Sequence, residues 1–246
     1  MTRTVLFSYA HPDDESFAGS GLAMQCLADG GRAVLVTATL GQRGRLGDPP
    51  VCRPEDVEQF RERELREACR IIGIEDVHLL GYKDRELADV PADAIRKSLV
   101  TLIRRYQPDV VVSFDPHGLN LHPDHVAIAR FTTDAVAATA DPRWFPADGA
   151  PHVVGRLLWT PPLPPWRVTQ VARVEDEPGV DFVLDVSAWA DRRAAALRAH
   201  RSQHISIDRC FFSQADVSEI LKMEIYRQGW GPPLTRRPGR NVFAGL

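Results

Sequence analysis

The chain has 246 residues, 44% of them hydrophobic and 26% charged, with a formal net charge of −3. That is the composition of a globular protein with an ordinary core, and it gives no electrostatic reason to expect nucleic acid or an acidic membrane as partner. Of the 30 basic residues only Lys83, Lys97 and Lys222 are lysine, and the scattered arginines read as compositional bias rather than a binding patch.

Residues 4–10, Thr-Val-Leu-Phe-Ser-Tyr-Ala, form the first expected strand and carry no charged leader, so no signal peptide is expected. Further strands are predicted at 32–39, 76–81 and 109–115, with helices at about 17–28, 57–72, 92–106 and 123–138. Apolar strands alternating with helices predict a parallel sheet covered on both faces, a Rossmann-like α/β fold with right-handed crossovers. After residue 140 the texture changes to a Pro/Gly/Asp loop and the Pro-rich run 161–166. Short strands are expected at 154–160, 168–174 and 182–186, then helices at about 188–201 and 213–227. We read residues 1–246 as one domain: a core over about 1–140, then a sheet extension with substrate-covering loops. No apolar run approaches the ~20 residues of a membrane span. Cys26, Cys52, Cys69 and Cys210 form no C-x-x-C pair, so a reducing, cytoplasmic setting is expected.

The tripeptide His-Pro-Asp occurs twice, as His11-Pro12-Asp13-Asp14-Glu15 after the first strand and as His122-Pro123-Asp124-His125 after the fourth. In open parallel sheets the binding crevice lies outside the carboxyl ends of the strands, so both clusters reach it. Proline after each histidine suits the first position of a helix. The helix dipole there favours ionised carboxylates and neutral imidazoles, the states that bind metal. From this we expect His11, Asp14 and His125 as metal ligands with a coordination position left open, a catalytic zinc site that would equally accept Fe(II). Asp13 is the expected general base, His122 the oxyanion-stabilising group, and Asp124 the residue that orients His122. A single His-Pro-Asp is as readily a helix cap as a site. Two copies with complementary ligands at corresponding strand ends favour the site.

These two segments resemble the signatures of the LmbE-like (N-acetylglucosaminyl-phosphatidylinositol de-N-acetylase) superfamily. A weaker likeness runs through the 61–73 helix, the 80–84 turn and the 196–203 segment. The resemblance implies a zinc-dependent deacetylase of N-acetylglucosamine conjugates, or an amidase of mycothiol-like thiol–sugar conjugates, acting on a small amino-sugar conjugate. It carries His11, Asp14 and His125 over as ligands, Asp13 as base and His122 as oxyanion partner. Some members place a tyrosine where this chain has Asn120, whose amide can donate a hydrogen bond instead. Arg43, Asp84, Arg61 and His200 join Asn120 as substrate-binding candidates. Trp144, Trp159 and Trp166 are candidates for a sugar-stacking wall, with core packing the default for Trp159. A non-catalytic sugar- or nucleotide-binding protein is the rival of another class, though the first strand lacks a G-x-G-x-x-G turn. Homo-oligomerisation stays open.

Overall fold

The computed structural model describes residues 2–160 and 163–246; the side chain of Trp166 also lies outside what is described. Seven strands form a sheet in the order β3-β2-β1-β4-β5-β7-β6. They are β1 (Thr4–Tyr9), β2 (Arg32–Thr39), β3 (Asp76–Tyr82), β4 (Val110–Phe114), β5 (Arg156–Thr160), β6 (Phe182–Asp185) and β7 (Met223–Trp230). The first five pair in parallel, whereas β7 runs antiparallel to both β5 and β6. The mostly parallel α/β sheet is therefore as expected from the alternating pattern.

Chain direction across the sheet reverses between β1 and β4. One half winds out through β2 and β3; the return through β4 and β5 winds the other way. With right-handed crossovers, that reversal puts the connecting helices on both faces. Helix α2 (Ser20–Ala28), α3 (Val57–Ile72) and α7 (Ala190–Ala199) pack together, and α4 (Ala92–Tyr106) packs against α6 (Pro123–Thr139). The central strands are sealed: every residue of β1 and β4 is buried. Four short helices complete the set: α1 (Asp14–Ala18), α5 (Gly118–Leu121), α8 (His204–Ile207) and α9 (Val217–Ile220).

Two expectations in the C-terminal half are corrected. Residues 168–174 are not a strand; this stretch follows a short 3-10 turn at Pro165–Arg167 and ends in another at Val174–Asp176. The helix expected at 213–227 is only α9, after which the chain extends into β7. Apolar residues at 217, 220, 221 and 225 fit a helical spacing, but strand pairing with β5 and β6 wins over that local pattern. The expected helix at 17–28 is also broken, at Gly19. A Cβ there would come within 2.8 Å of the Phe7 ring, so the backbone packs directly on β1.

Candidate metal centre and active-site cavity

The reversal between β1 and β4 is the topological switch point at which open α/β sheets bind ligands. The residues just beyond the two strands are the two His-Pro-Asp clusters. Asp13 caps α1, and His122 caps α6 with Pro123 at its first position. Asp13 has φ 120°, a conformation L side chains rarely adopt. It is held there by its carbonyl, which accepts from Ser16 and Phe17 N–H at 2.9 and 3.0 Å, and by its N–H, which donates to Glu15 at 3.0 Å.

His11 and His125 are both buried, and their rings approach with His11 Nδ1 3.1 Å from His125 Nε2. The outer nitrogens explain the orientation. His125 Nδ1 lies 3.1 Å from the Gly118 carbonyl, an acceptor only, so that nitrogen carries the proton. His11 Nε2 lies 3.1 Å from Asp124 Oδ2 and 3.2 Å from Asp84 Oδ1, so the proton of the neutral ring sits there. The two inner nitrogens therefore turn lone pairs toward each other. Asp14 adds a carboxylate, Oδ1 at 3.4 Å from His125 and Oδ2 at 3.7 Å from His11. In the neutral ring these acceptors repel unless a cation sits among them, whether a metal ion or the proton that the raised His11 pKa favours. The His11–His125 spacing of 3.1 Å is near the edge of roughly 3.3 Å expected for tetrahedral ligands at zinc distances, and one Asp14 oxygen approaches each ring. The donor set fits a metal ion.

The electrostatics agree. Burial lowers the pKa of His11, yet hydrogen bonds to Asp124 and Asp84 and the charge of Asp14 outweigh it and raise it to about 10, so this spot favours positive charge. His125 is pushed well below its ordinary value by burial and by His11 and His122 nearby, which keeps it a neutral ligand. Asp13 is pushed up to about 7, chiefly by burial with the Asp14 charge adding, while Arg61 opposes.

A cavity of about 450 Å³ opens over this cluster, lined among others by His11, Asp13, Asp14, His122 and His125. Several expected roles change here. Asp124 does not orient His122: its carboxylate holds His11 and accepts the backbone N–H of Arg85 and Leu87 at 2.6 and 3.2 Å. His122 instead takes the Asp124 N–H on its own Nδ1, at 3.2 Å. Asp84 reaches the cavity but is 4% exposed, and its carboxylate serves His11 and the Arg43 N–H rather than standing free for a sugar hydroxyl. Arg61 is 3% exposed and spans the carbonyls of Gly41 and Pro12, 3.5 Å from Asp13, so it clamps loops rather than reaching out. The fit needs Gly41: a Cβ there would lie 1.7 Å from the guanidinium. His200 is fully buried behind the cavity and pairs with Glu15 at 2.7 Å; its Nδ1 has no partner among the described residues. Arg43 and exposed Asn120 do line the cavity, with the Arg43 side chain paired to Glu86. Trp144 stacks on Arg96 and Trp159 packs against the core, so neither walls the cavity, and the Trp166 side chain lies outside the described residues.

Residues the sequence did not single out complete the wall: Phe17, Arg85, Phe114, Leu119, Gln203, Ser206 and Arg209. Phe114 stacks on His125 with centroids 4.0 Å apart and planes at 5°. Position at the end of β4 was the available signal for Phe114, and the weak likeness through residues 196–203 the one for Gln203; for Ser206 and Arg209 there was none, since they lie far along the chain from either motif. One consequence concerns metal retention. Asp124→Ala is expected to weaken metal affinity by about 10- to 100-fold through a misaligned His11, measured by competition with a chromophoric chelator.

The chain is similar to known proteins along most of its length. A protein of Acidothermus cellulolyticus named 1D-myo-inositol 2-acetamido-2-deoxy-alpha-D-glucopyranoside deacetylase is 33% identical over 286 residues, covering 100% of this chain and 96% of the relative. A crystal structure of a conserved Thermus thermophilus protein superposes with TM-score 0.72 and 26% identity, covering 96% of this chain and 98% of that one. N,N'-diacetylchitobiose deacetylase from Pyrococcus horikoshii shares the fold with TM-score 0.71 at 20% identity, over 92% and 83% of the two chains. Residues 6–136, which hold both His-Pro-Asp clusters and the strands that present them, match the family described as PIG-L: GlcNAc-PI de-N-acetylase, and the chain belongs to that family.

Proposed function

We propose that this protein is a zinc-dependent N-deacetylase acting on an N-acetylglucosamine-type conjugate, with His11, Asp14 and His125 holding the ion. The observation that carries the reading is the convergence of His11 Nδ1, His125 Nε2 and the Asp14 carboxylate beside a cavity that also holds Asp13. Fe(II) suits the same two-histidine, one-carboxylate face. When bound, the ion supplies a Lewis acid for the amide carbonyl and acidifies water toward neutrality.

The chain's own groups do the rest. Asp13 takes the proton of the attacking water; a carboxylate pushed up to about 7 by burial is matched to that task near neutral pH. Arg61, 3.5 Å away, aims it. His122 has Nδ1 committed to accepting the Asp124 N–H, so its proton sits on Nε2 and can be donated to the oxyanion as the carbonyl becomes tetrahedral. Burial and the nearby His11 lower its pKa, which keeps it a neutral donor. Asp13 then returns its proton to the departing amine. The relatives' names support an amino-sugar conjugate as substrate.

The test joins metal content to turnover. Purified protein is expected to carry about one metal ion per chain and to release acetate from N-acetylglucosamine conjugates, with both lost on chelation and restored by added zinc. Acetate release unaffected by complete metal removal would overturn the reading.

A further inference from the structure

Beside the metal-site cavity lies a second, smaller one of about 50 Å³, and the two share Phe17, Leu119 and Pro165 in their walls. The smaller cavity is apolar, bounded by Ala18, Leu163, Val168, Ile220 and Ile225. The polar groups at its edge are already satisfied. Arg193 lies 3.3 Å from Glu224, and the Tyr226 hydroxyl donates to Glu224 at 2.6 Å. Thr160 Oγ1 has no partner among the described residues, but one hydroxyl is too little to hold a water, which needs two to four polar contacts. The cavity therefore suits hydrocarbon.

The main cavity has two kinds of wall. Arg43, Arg85, Gln203, Ser206 and Arg209 present polar atoms suited to a hydroxylated sugar and its aglycone. Phe17, Leu119, Pro164 and Pro165 present an apolar face, which suits the one apolar end of the substrate, the acyl group. Behind that face is the second cavity.

We propose that this second cavity is an acyl subsite, so that the enzyme hydrolyses N-acyl glucosaminides whose chains are a few carbons longer than acetyl. The proposal rests on the deacetylase reading above. The extra methylenes enter past Phe17, Leu119 and Pro165, and Val168 and Ile220 set how far they reach.

The test uses the zinc-loaded enzyme and one glycoside bearing N-acetyl, N-propionyl, N-butyryl or N-hexanoyl groups. Each added methylene that enters is expected to raise kcat/KM by about fourfold until the cavity is full. Butyrate should bind more tightly than acetate by a similar factor per methylene, read by calorimetry. Val168→Phe, which fills the cavity, is expected to lower the butyryl-to-acetyl ratio about tenfold, and Val168→Ala to shift the optimum to a longer chain. The ratio within one variant does not depend on the fraction folded. Cleavage of the N-acetyl substrate with a steep loss at N-propionyl would overturn the subsite and leave the deacetylase reading intact. So would a preference that follows alkyl length on the aglycone at fixed N-acetyl. Turnover of no member of the series would overturn both.

Discussion

Replacing His125 by alanine is expected to remove stoichiometric metal and lower deacetylation by about a thousandfold or more, since several kcal/mol of transition-state stabilisation are lost with the ion. The side chain supplies one of three converging donors. Its ring is doubly fixed, by the Gly118 carbonyl on Nδ1 and by Phe114 stacked on its face. His122 is the nearest imidazole, with ring centroids 4.9 Å away, and its Nδ1 is already used in capping α6. Metal analysis and acetate release on the same preparation check this. A variant that keeps one metal ion per chain and most of its activity would show that the ion sits elsewhere.

Asp13→Asn is expected to keep the metal and lose about 10²- to 10⁴-fold in kcat, the range for removing a positioned general base. The backbone at this residue adds a second expectation. Asp13 sits at φ 120°, where a Cβ is strained and glycine is not. Asp13→Gly and Asp13→Ala both lose the carboxylate, yet the glycine variant should be the more stable by about 1–3 kcal/mol in denaturant unfolding. That ordering is the reverse of what a helical position would give. Equal stabilities would mean that the backbone relaxes when the carboxylate is lost. The strain is maintained by Glu15, whose carboxylate accepts the Asp13 N–H and is in turn held by buried His200. The structure thus spends local stability to aim the base into the cavity.

This arrangement clarifies the buried charges that the sequence suggested as substrate contacts or, for Asp124, as the partner of His122. Arg61, Asp84, Asp124 and His200 are all buried, Asp84 and Asp124 holding His11, Arg61 lying beside Asp13, and His200 holding Glu15. Buried ionic groups are costly unless paired. Here each has partners, and the pairs fix the tautomers of His11 and the orientation of Asp13.

Much of the centre was legible in the chain because its signals are local. An apolar run, then His-Pro-Asp, states within a few residues that a strand ends, a helix begins, and a histidine and a carboxylate emerge together; repeated after β4, it predicts that the two clusters meet, as His11, Asp14 and His125 do. The parallel sheet was likewise legible in strands without polar alternation. Pairing across distance was not. Asp124 and His11 are 113 residues apart and His200 and Glu15 are 185 apart, and nothing in either local pattern distinguishes a carboxylate that holds a distant imidazole from one that holds its neighbour. The same limit applies to β7, whose residues fit a helical spacing until β5 and β6 supply strand partners. The sequence by itself determined the strand ends and the histidine and carboxylate side chains that emerge there, because each depends on a few adjacent residues. Only the tertiary structure decided which carboxylate orients which histidine, which arginine and histidine lie buried beneath the site, and that an apolar cavity adjoins it. Those depend on how faces separated by most of the chain pack against one another.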